Sequence, residues 1–252
     1  MIAFVWFSFG GDGDCLVESV ASVRRVYGQD VPVCVFDDAM APLSPHVVQM
    51  VRPTLYERTA WDRGGNLRGP ICITGMLDCM RRVTEITRAD WISKIDCDTI
   101  LIRPWVQDDL RWAYQGVSWG TQQLGAGLNY ALRRDVPERI LRMIAGRPGL
   151  FKEASCPEDN TIALFATVCC PGASLIHDSA VGVPGQRLAS GWIYGETPTM
   201  AEDCRGYSIV TFGNRFTMDD LDMEERNGSR ARTRVAVTMA RFNRWIRANL
   251  DV

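Results

Sequence analysis

The first forty residues constrain the fold most. Ile2 to Phe9 is an almost unbroken apolar run, the pattern of a strand buried on both faces. Gly10, Gly11, Asp12 and Gly13 break it. Leu16, Val17, Val20, Val23 and Tyr27 then recur at helical spacing, with Asp14 near the start and Gly28 at the stop. Val31 to Phe36 is a second apolar run that ends on Asp37 and Asp38. Strand, helix and strand with short links make a βαβ unit, which commits the chain to a parallel sheet covered by helices.

The rhythm continues. Gly69-Pro70 predicts a helix start with proline at its first position, and Ile73, Met76, Leu77, Met80 and Val83 form the apolar stripe. Trp91 to Ile95 predicts a strand running into Asp96-Cys97-Asp98, and Thr99 to Ile102 resumes as strand before Pro104. Further strands are expected over 112–119, 127–132, 173–176 and 207–212, and a helix over 136–145. Ser155-Cys156-Pro157-Glu158 has the form of a capping box, predicting a helix from there to Thr167. With 252 residues, the expected fold class is α/β: one domain with a mostly parallel central sheet flanked by helices.

Cysteine and histidine exclude several functions. The nine Cys are an odd number and contain no C-x-x-C pair, which argues against a secreted disulfide framework or a zinc ribbon. They read as small buried hydrophobes in a reducing compartment. His46 and His177 are the only histidines, so chemistry that needs a His cluster is excluded. The apolar N-terminus lacks a basic region and a small-residue cleavage site, and reads as a first strand rather than a leader. No stretch reaches the roughly 18 apolar residues of a membrane span. A cytoplasmic location is expected.

The formal net charge of -2 hides an asymmetry. From Arg226 to Val252, seven Arg stand against Asp251, a net of +6, so residues 1–225 carry -8. Val235, Met239, Phe242, Ile246 and Leu250 fall on one helical face, and Arg230, Arg234, Arg241 and Arg244 on the opposite one. The expectation is a body over 1–225 and an Arg-rich amphipathic helix over 226–252, docked on it by its apolar side.

Asp96 and Asp98 are the sharpest chemical signal. Two carboxylates two residues apart, just past a buried strand, lie at the carboxyl edge of the sheet, where open α/β sheets bind ligands. Oxygen ligands suit Mg²⁺ or Mn²⁺, which in turn bind phosphate oxygens. Strand alternation puts Lys94 on the same side as Asp96, either pairing with that carboxylate or reaching a phosphate.

The segment from Asp90 to Pro104, DWISKIDCDTILIRP, resembles the D-x-D segment of nucleotide-sugar glycosyltransferases with the glycosyltransferase A fold. The first strand, the helix Cys15–Tyr27 and Val33 to Asp38 resemble that fold's nucleotide-binding half. Gly127 to Arg133 resembles the strand that follows it near the acceptor, and Pro157 to Ile162 resembles the segment opening a helix below the acceptor site. The resemblance spans residues 2–213 in the expected order. It implies a metal-dependent glycosyltransferase that moves a sugar from a nucleotide-diphosphate donor, with a UDP-sugar favoured, to an acceptor hydroxyl. Asp96 and Asp98 would hold Mn²⁺ or Mg²⁺ and, through it, the diphosphate. Ser8, Phe9 and Asp37 would lie near base and ribose, and Arg63, Arg68 and Lys94 near the phosphates. Asn129 and Trp192 would face the acceptor. An inverting transfer needs a carboxylate base; Asp159 is preferred, because the capping box already occupies Glu158. Members of the fold often place a late His on the metal, and here the matching stretch has Thr211, with His177 the one substitute.

Other readings compete. Gly116-Val-Ser118-Trp-Gly120 matches the nucleophile elbow of α/β-hydrolases, with Ser118 as nucleophile. A non-catalytic nucleotide-sugar binder would keep much of the same pattern. No Walker phosphate loop is present, and no G-x-G-x-x-G follows a strand. The outward stripe of Arg230, Arg234, Arg241 and Arg244 suggests an anionic acceptor, such as a hydroxymethylated base in DNA. Trp61, Trp192 or Phe216 would then be wedges for flipping the base. A glycan, lipid or protein acceptor is the alternative.

Overall fold

The structure is a computed structural model. It describes residues 1–61, 69–119, 122–147, 149, 158–177, 190–192, 208–211, 236–237 and 239–249, with the backbone alone at 118–119, 122–128 and 190–192. The opening unit forms as expected, with β1 (Ile2–Ser8), α1 (Gly13–Tyr27) and β2 (Val33–Asp38). β1 alternates its side chains between two cores. Phe4 and Trp6 join Leu16, Val20 and Val33 on one face, and Ala3, Val5 and Phe7 join Cys34, Ile73 and Met76 on the other. A strand with a core on each side must be apolar throughout, which is why Ile2 to Phe7 is unbroken.

Among the described residues the main sheet has seven strands. β3 (Leu55–Thr59), β4 (Trp91–Lys94), β6 (Tyr114–Trp119), β7 (Gln122–Arg133) and β8 (Ser174–His177) join the first two in the order β3-β2-β1-β4-β7-β6-β8. β1 pairs parallel with β2 and β4, β2 with β3, and β6 with β8; β7 runs antiparallel to both β4 and β6. α2 (Pro45–Val51) links β2 to β3. Its start is signalled by Ser44-Pro45: Ser44 Oγ accepts from the Val47 N–H at 3.3 Å, with proline following the cap. α3 (Pro70–Thr87), α4 (Val136–Gly146) and α5 (Glu158–Cys169) cover the second face.

Two expectations are corrected. Residues 91–102 are not one interrupted strand. β4 belongs to the main sheet, whereas β5 (Thr99–Leu101) enters a second sheet of order β5-β10-β9, with β9 at Ser190–Trp192 and β10 at Ile209–Thr211. The D-x-D turn is thus the crossing between two sheets. The hydrolase reading also fails. Ser118 sits within β6 opposite Gly125 of the adjacent antiparallel strand β7, whereas a nucleophile elbow must lead into a helix.

Residues 239–249 are helical and dock by the apolar side. Met239, Phe242 and Ile246 are buried in the core shared with Leu16 and Val20 of α1, whereas Arg241 and Arg244 are exposed. Asn243 completes the joint. Its Nδ2 donates to Glu18 at the backbone carbonyl (3.0 Å) and at Oε2 (2.8 Å), and its Oδ1 accepts from Arg25 Nη1 at 2.8 Å. Arg25 also donates to the carbonyl of Leu101. Replacing Asn243 with Ala leaves these half-buried partners short of a bond. The expected cost is about 1–3 kcal/mol, read as a lower urea midpoint at constant m-value. No described helix is long and apolar enough to cross a membrane.

Candidate active site

The carboxyl ends of β1, β2 and β4 form the edge on which the site is built. β4 ends at Lys94, and Ile95 remains tied to β1 through its N–H to the Val5 carbonyl at 3.0 Å. The chain then turns. The Thr99 N–H closes on the Asp96 carbonyl at 3.1 Å, so that Asp96, Cys97, Asp98 and Thr99 form a β-turn. Both carboxylates are half-buried. Burial pushes Asp98 up to about 8, and the like charge of Asp96 adds to the shift. The start of α1 is close by: burial raises the Cys15 thiol to about 12, and the Asp98 carboxylate contributes.

Lys94 lies behind the turn. Its Nζ is 2.5 Å from Asp96 Oδ1 and 2.9 Å from Glu158 Oε1, and its side chain is only 3% exposed. Burial alone would lower its pKa, but the two carboxylates outweigh that and hold it above the ordinary lysine range. The ammonium also lies 5.7 Å from the centre of the Tyr130 ring, which stacks on Tyr114. Glu158 opens α5, and its carboxyl is pushed up to about 7 by burial, with Lys94 opposing. Asp159, in the same first turn, is less buried; burial raises it too, and its Oδ1 accepts from the Asn160 N–H at 2.8 Å. The sequence gives no sign that Lys94 and Glu158, 64 positions apart, are partners.

The other expected site residues divide sharply. Ser8 and Asp37 meet across β1 and β2, but both are fully buried. Asp37 accepts from Ser8 Oγ (3.3 Å), the Leu43 N–H (2.8 Å) and the Tyr56 hydroxyl (2.7 Å), so it shapes the turn after β2 instead of presenting an open carboxylate. Phe9 is partly exposed at the same edge. Asn129, expected near the acceptor, is buried. It is 1% exposed beneath the D-x-D turn, where its Oδ1 accepts the Asp96 N–H at 3.0 Å. His177 ends β8 and packs edge-on against Trp105, 6.1 Å between ring centres. Trp61 packs against Phe7 and over Gly75, where a Cβ would come within 2.9 Å of the indole. Arg63, Arg68, Phe216, Arg230 and Arg234 lie outside the described residues, as does the side chain of Trp192.

Among the described residues, no group of three or more His, Cys, Asp or Glu is arranged to hold a metal ion. Two neighbouring carboxylates whose like charges oppose each other are nevertheless a suitable donor set for Mg²⁺ or Mn²⁺ shared with substrate phosphates. Such ions are commonly held by one or two carboxylates, with phosphate and water completing the shell.

No protein-family model matches the sequence, and no curated protein sequence matches it. Solved structures do match. A complex of the galactosyltransferase LgtC with donor and acceptor sugar analogues superposes with a TM-score of 0.54 at 10% identity, over 94% of this chain and 96% of that one. An active-site variant of LgtC gives 0.52 at 11% identity, over the same shares, 94% and 96%. A glycosyltransferase involved in glycosylating the major capsid of PBCV-1 gives 0.49 at 11% identity, over 89% of this chain and 98% of that one. At such identities the likeness to LgtC is one of fold, and it shows that this chain has the glycosyltransferase A-type fold.

Proposed function

We propose that the chain is a metal-dependent glycosyltransferase that transfers a sugar from a nucleotide-diphosphate donor, with a UDP-sugar favoured, to an acceptor hydroxyl. The observation that carries this reading is the D-x-D turn itself: two carboxylates, backed by a buried lysine, at the carboxyl edge of a parallel sheet with a nucleotide-sugar transferase fold. Asp96 and Asp98 would hold Mn²⁺ or Mg²⁺, which when bound neutralises charge on the diphosphate leaving group. Lys94 holds Asp96 in place and supplies positive charge behind it. Asp159, the more exposed carboxylate of the α5 start, is assigned to accept the acceptor's proton in an inverting transfer; a retaining transfer would not need it.

The test is a melting-temperature screen of UDP-, GDP- and TDP-sugars with and without Mn²⁺. A ligand that binds only the folded chain at about 100 times its Kd adds about 2.7 kcal/mol. One donor class is expected to raise the melting temperature only when metal is present. A screen with no metal-dependent shift would overturn the proposal. A non-catalytic binder would shift the melt but release no nucleoside diphosphate.

For the acceptor, the exposed Arg241 and Arg244, joined by Arg247, favour a polyanion such as DNA carrying a hydroxylated base. Duplex binding should then weaken with salt, and replacing all three Arg with Gln should lower the slope of log K against log salt by up to about 3. Binding without salt dependence would remove nucleic acid as the acceptor and leave a glycan, lipid or protein.

A further inference from the structure

Thr211 is a buried hydroxyl on β10 whose hydrogen bonds lead to the D-x-D turn. It is 1% exposed. Its hydroxyl lies 3.0 Å from Asn129 Nδ2 and 2.9 Å from Thr99 Oγ1, and Thr99 Oγ1 lies 3.3 Å from Asn129 Oδ1. Counting protons orients this triangle. Thr99 donates to Asn129 Oδ1, so Thr211 must donate to Thr99 while accepting from the Asn129 amide. The three bonds close a ring in one direction. The second lone pair of Asn129 Oδ1 takes the Asp96 N–H. Asn129 therefore grips the D-x-D turn at both ends, at Asp96 and at Thr99. Thr211 ties that grip to the second sheet, in which Thr211 and Thr99 are paired neighbours on β10 and β5.

We propose that Asn129 and Thr211 are positioning residues for the metal site, holding the Asp96–Asp98 spacing through the buried ring. The inference rests on the metal-dependent reading above. Partners that orient the ligands of a metal typically change its affinity by 10–100-fold when removed. Thr211→Val keeps shape but breaks the ring, Thr211→Ser restores the hydroxyl, and Val210→Ala disturbs the same buried strand without touching the ring.

The experiment has two readouts on the full chain. The first is Mn²⁺ affinity in the presence of UDP, followed by the loss of the free Mn²⁺ paramagnetic resonance signal. Thr211→Val should weaken it about 10-fold, while Thr211→Ser and Val210→Ala stay within about twofold of the unaltered protein. The second, with no metal added, is hydrogen exchange at the Asp96 amide, which should be protected in the unaltered protein and lose protection in Asn129→Ala beyond any loss at Val5. Affinity in Thr211→Val equal to that in Val210→Ala would overturn the inference alone, as would unchanged Asp96 exchange in Asn129→Ala. An unaltered protein that takes up no Mn²⁺ with UDP would overturn the functional reading and this inference with it.

Discussion

Asp98→Asn is expected to lower metal-dependent release of nucleoside diphosphate from the donor by about 10³-fold while the protein stays folded. Among the described residues Asp98 carries no ion pair of the kind that binds Asp96 to Lys94, so its carboxylate is the more available of the two. The amide keeps the size of the side chain but not its charge. Losing one of two anionic ligands removes several kcal/mol of stabilisation of the leaving diphosphate, and each 1.36 kcal/mol is about tenfold in rate. The fold should tolerate the change. Asp98 is half-buried with its pKa raised to about 8, first by burial and then by Asp96, so a neutral amide relieves repulsion. Turnover with and without Mn²⁺, beside a melting curve, checks both halves. Near-normal Mn²⁺-dependent release from Asp98→Asn would contradict the assignment.

Lys94→Met is expected to destabilise the fold by about 3–5 kcal/mol, the range for removing one partner of a buried ion pair. The thioether fits beside the Tyr130 ring, so packing is largely kept. What is lost, among the described residues, is the ion-pair partner of Glu158, whose side chain is 7% exposed, together with that of Asp96. Glu158 sets the sign of the pH dependence. Burial has already raised its folded pKa to about 7 against an ordinary value of 4.5, and without Lys94 it rises further. A raised carboxyl penalises the folded state increasingly as pH climbs from the ordinary value to the folded one. The deficit of Lys94→Met should therefore be greatest above about pH 7 and shrink toward pH 5. Lys94→Met combined with Glu158→Gln should recover part of the loss, because the stranded charge is gone. Urea titrations at pH 5 and pH 8 measure this directly. An equal deficit at both would mean that Glu158 is not the stranded group.

What could be read from the sequence followed from local rules. The apolar run of β1 and the 3.6-residue stripes of α1 and α3 are periodic, so they announced a parallel sheet and its cover. Asp96 and Asp98 were legible as a site because a strand ends beside them. The face of the C-terminal helix was legible at Met239, Phe242 and Ile246 for the same reason. The rest depends on groups far apart in the chain. Lys94 meets Glu158, Asn129 meets Thr211 across 82 positions, and Asn243 meets Glu18 and Arg25 across more than 200. Nothing local marks such pairs. Asn129 read as an acceptor contact because Gly127 to Arg133 resembles the strand that lies near the acceptor in glycosyltransferases of the A fold. Its polar partners are instead within the protein, because burying an amide requires that its bonds be met. The two-sheet crossing at the D-x-D turn was missed for a related reason: Thr99 to Leu101 is apolar enough for either sheet, and only its pairing with β10 decides.

The central claim is that Asp96 and Asp98 together hold a divalent metal that binds a nucleotide diphosphate. It is tested most directly by crystals grown with Mn²⁺ and UDP, with anomalous differences recorded at the manganese edge. One strong peak is expected beside the two carboxylates and the diphosphate, at the carboxyl edge of β4. Nucleotide bound with no manganese at these carboxylates, or manganese held by other residues, would contradict it.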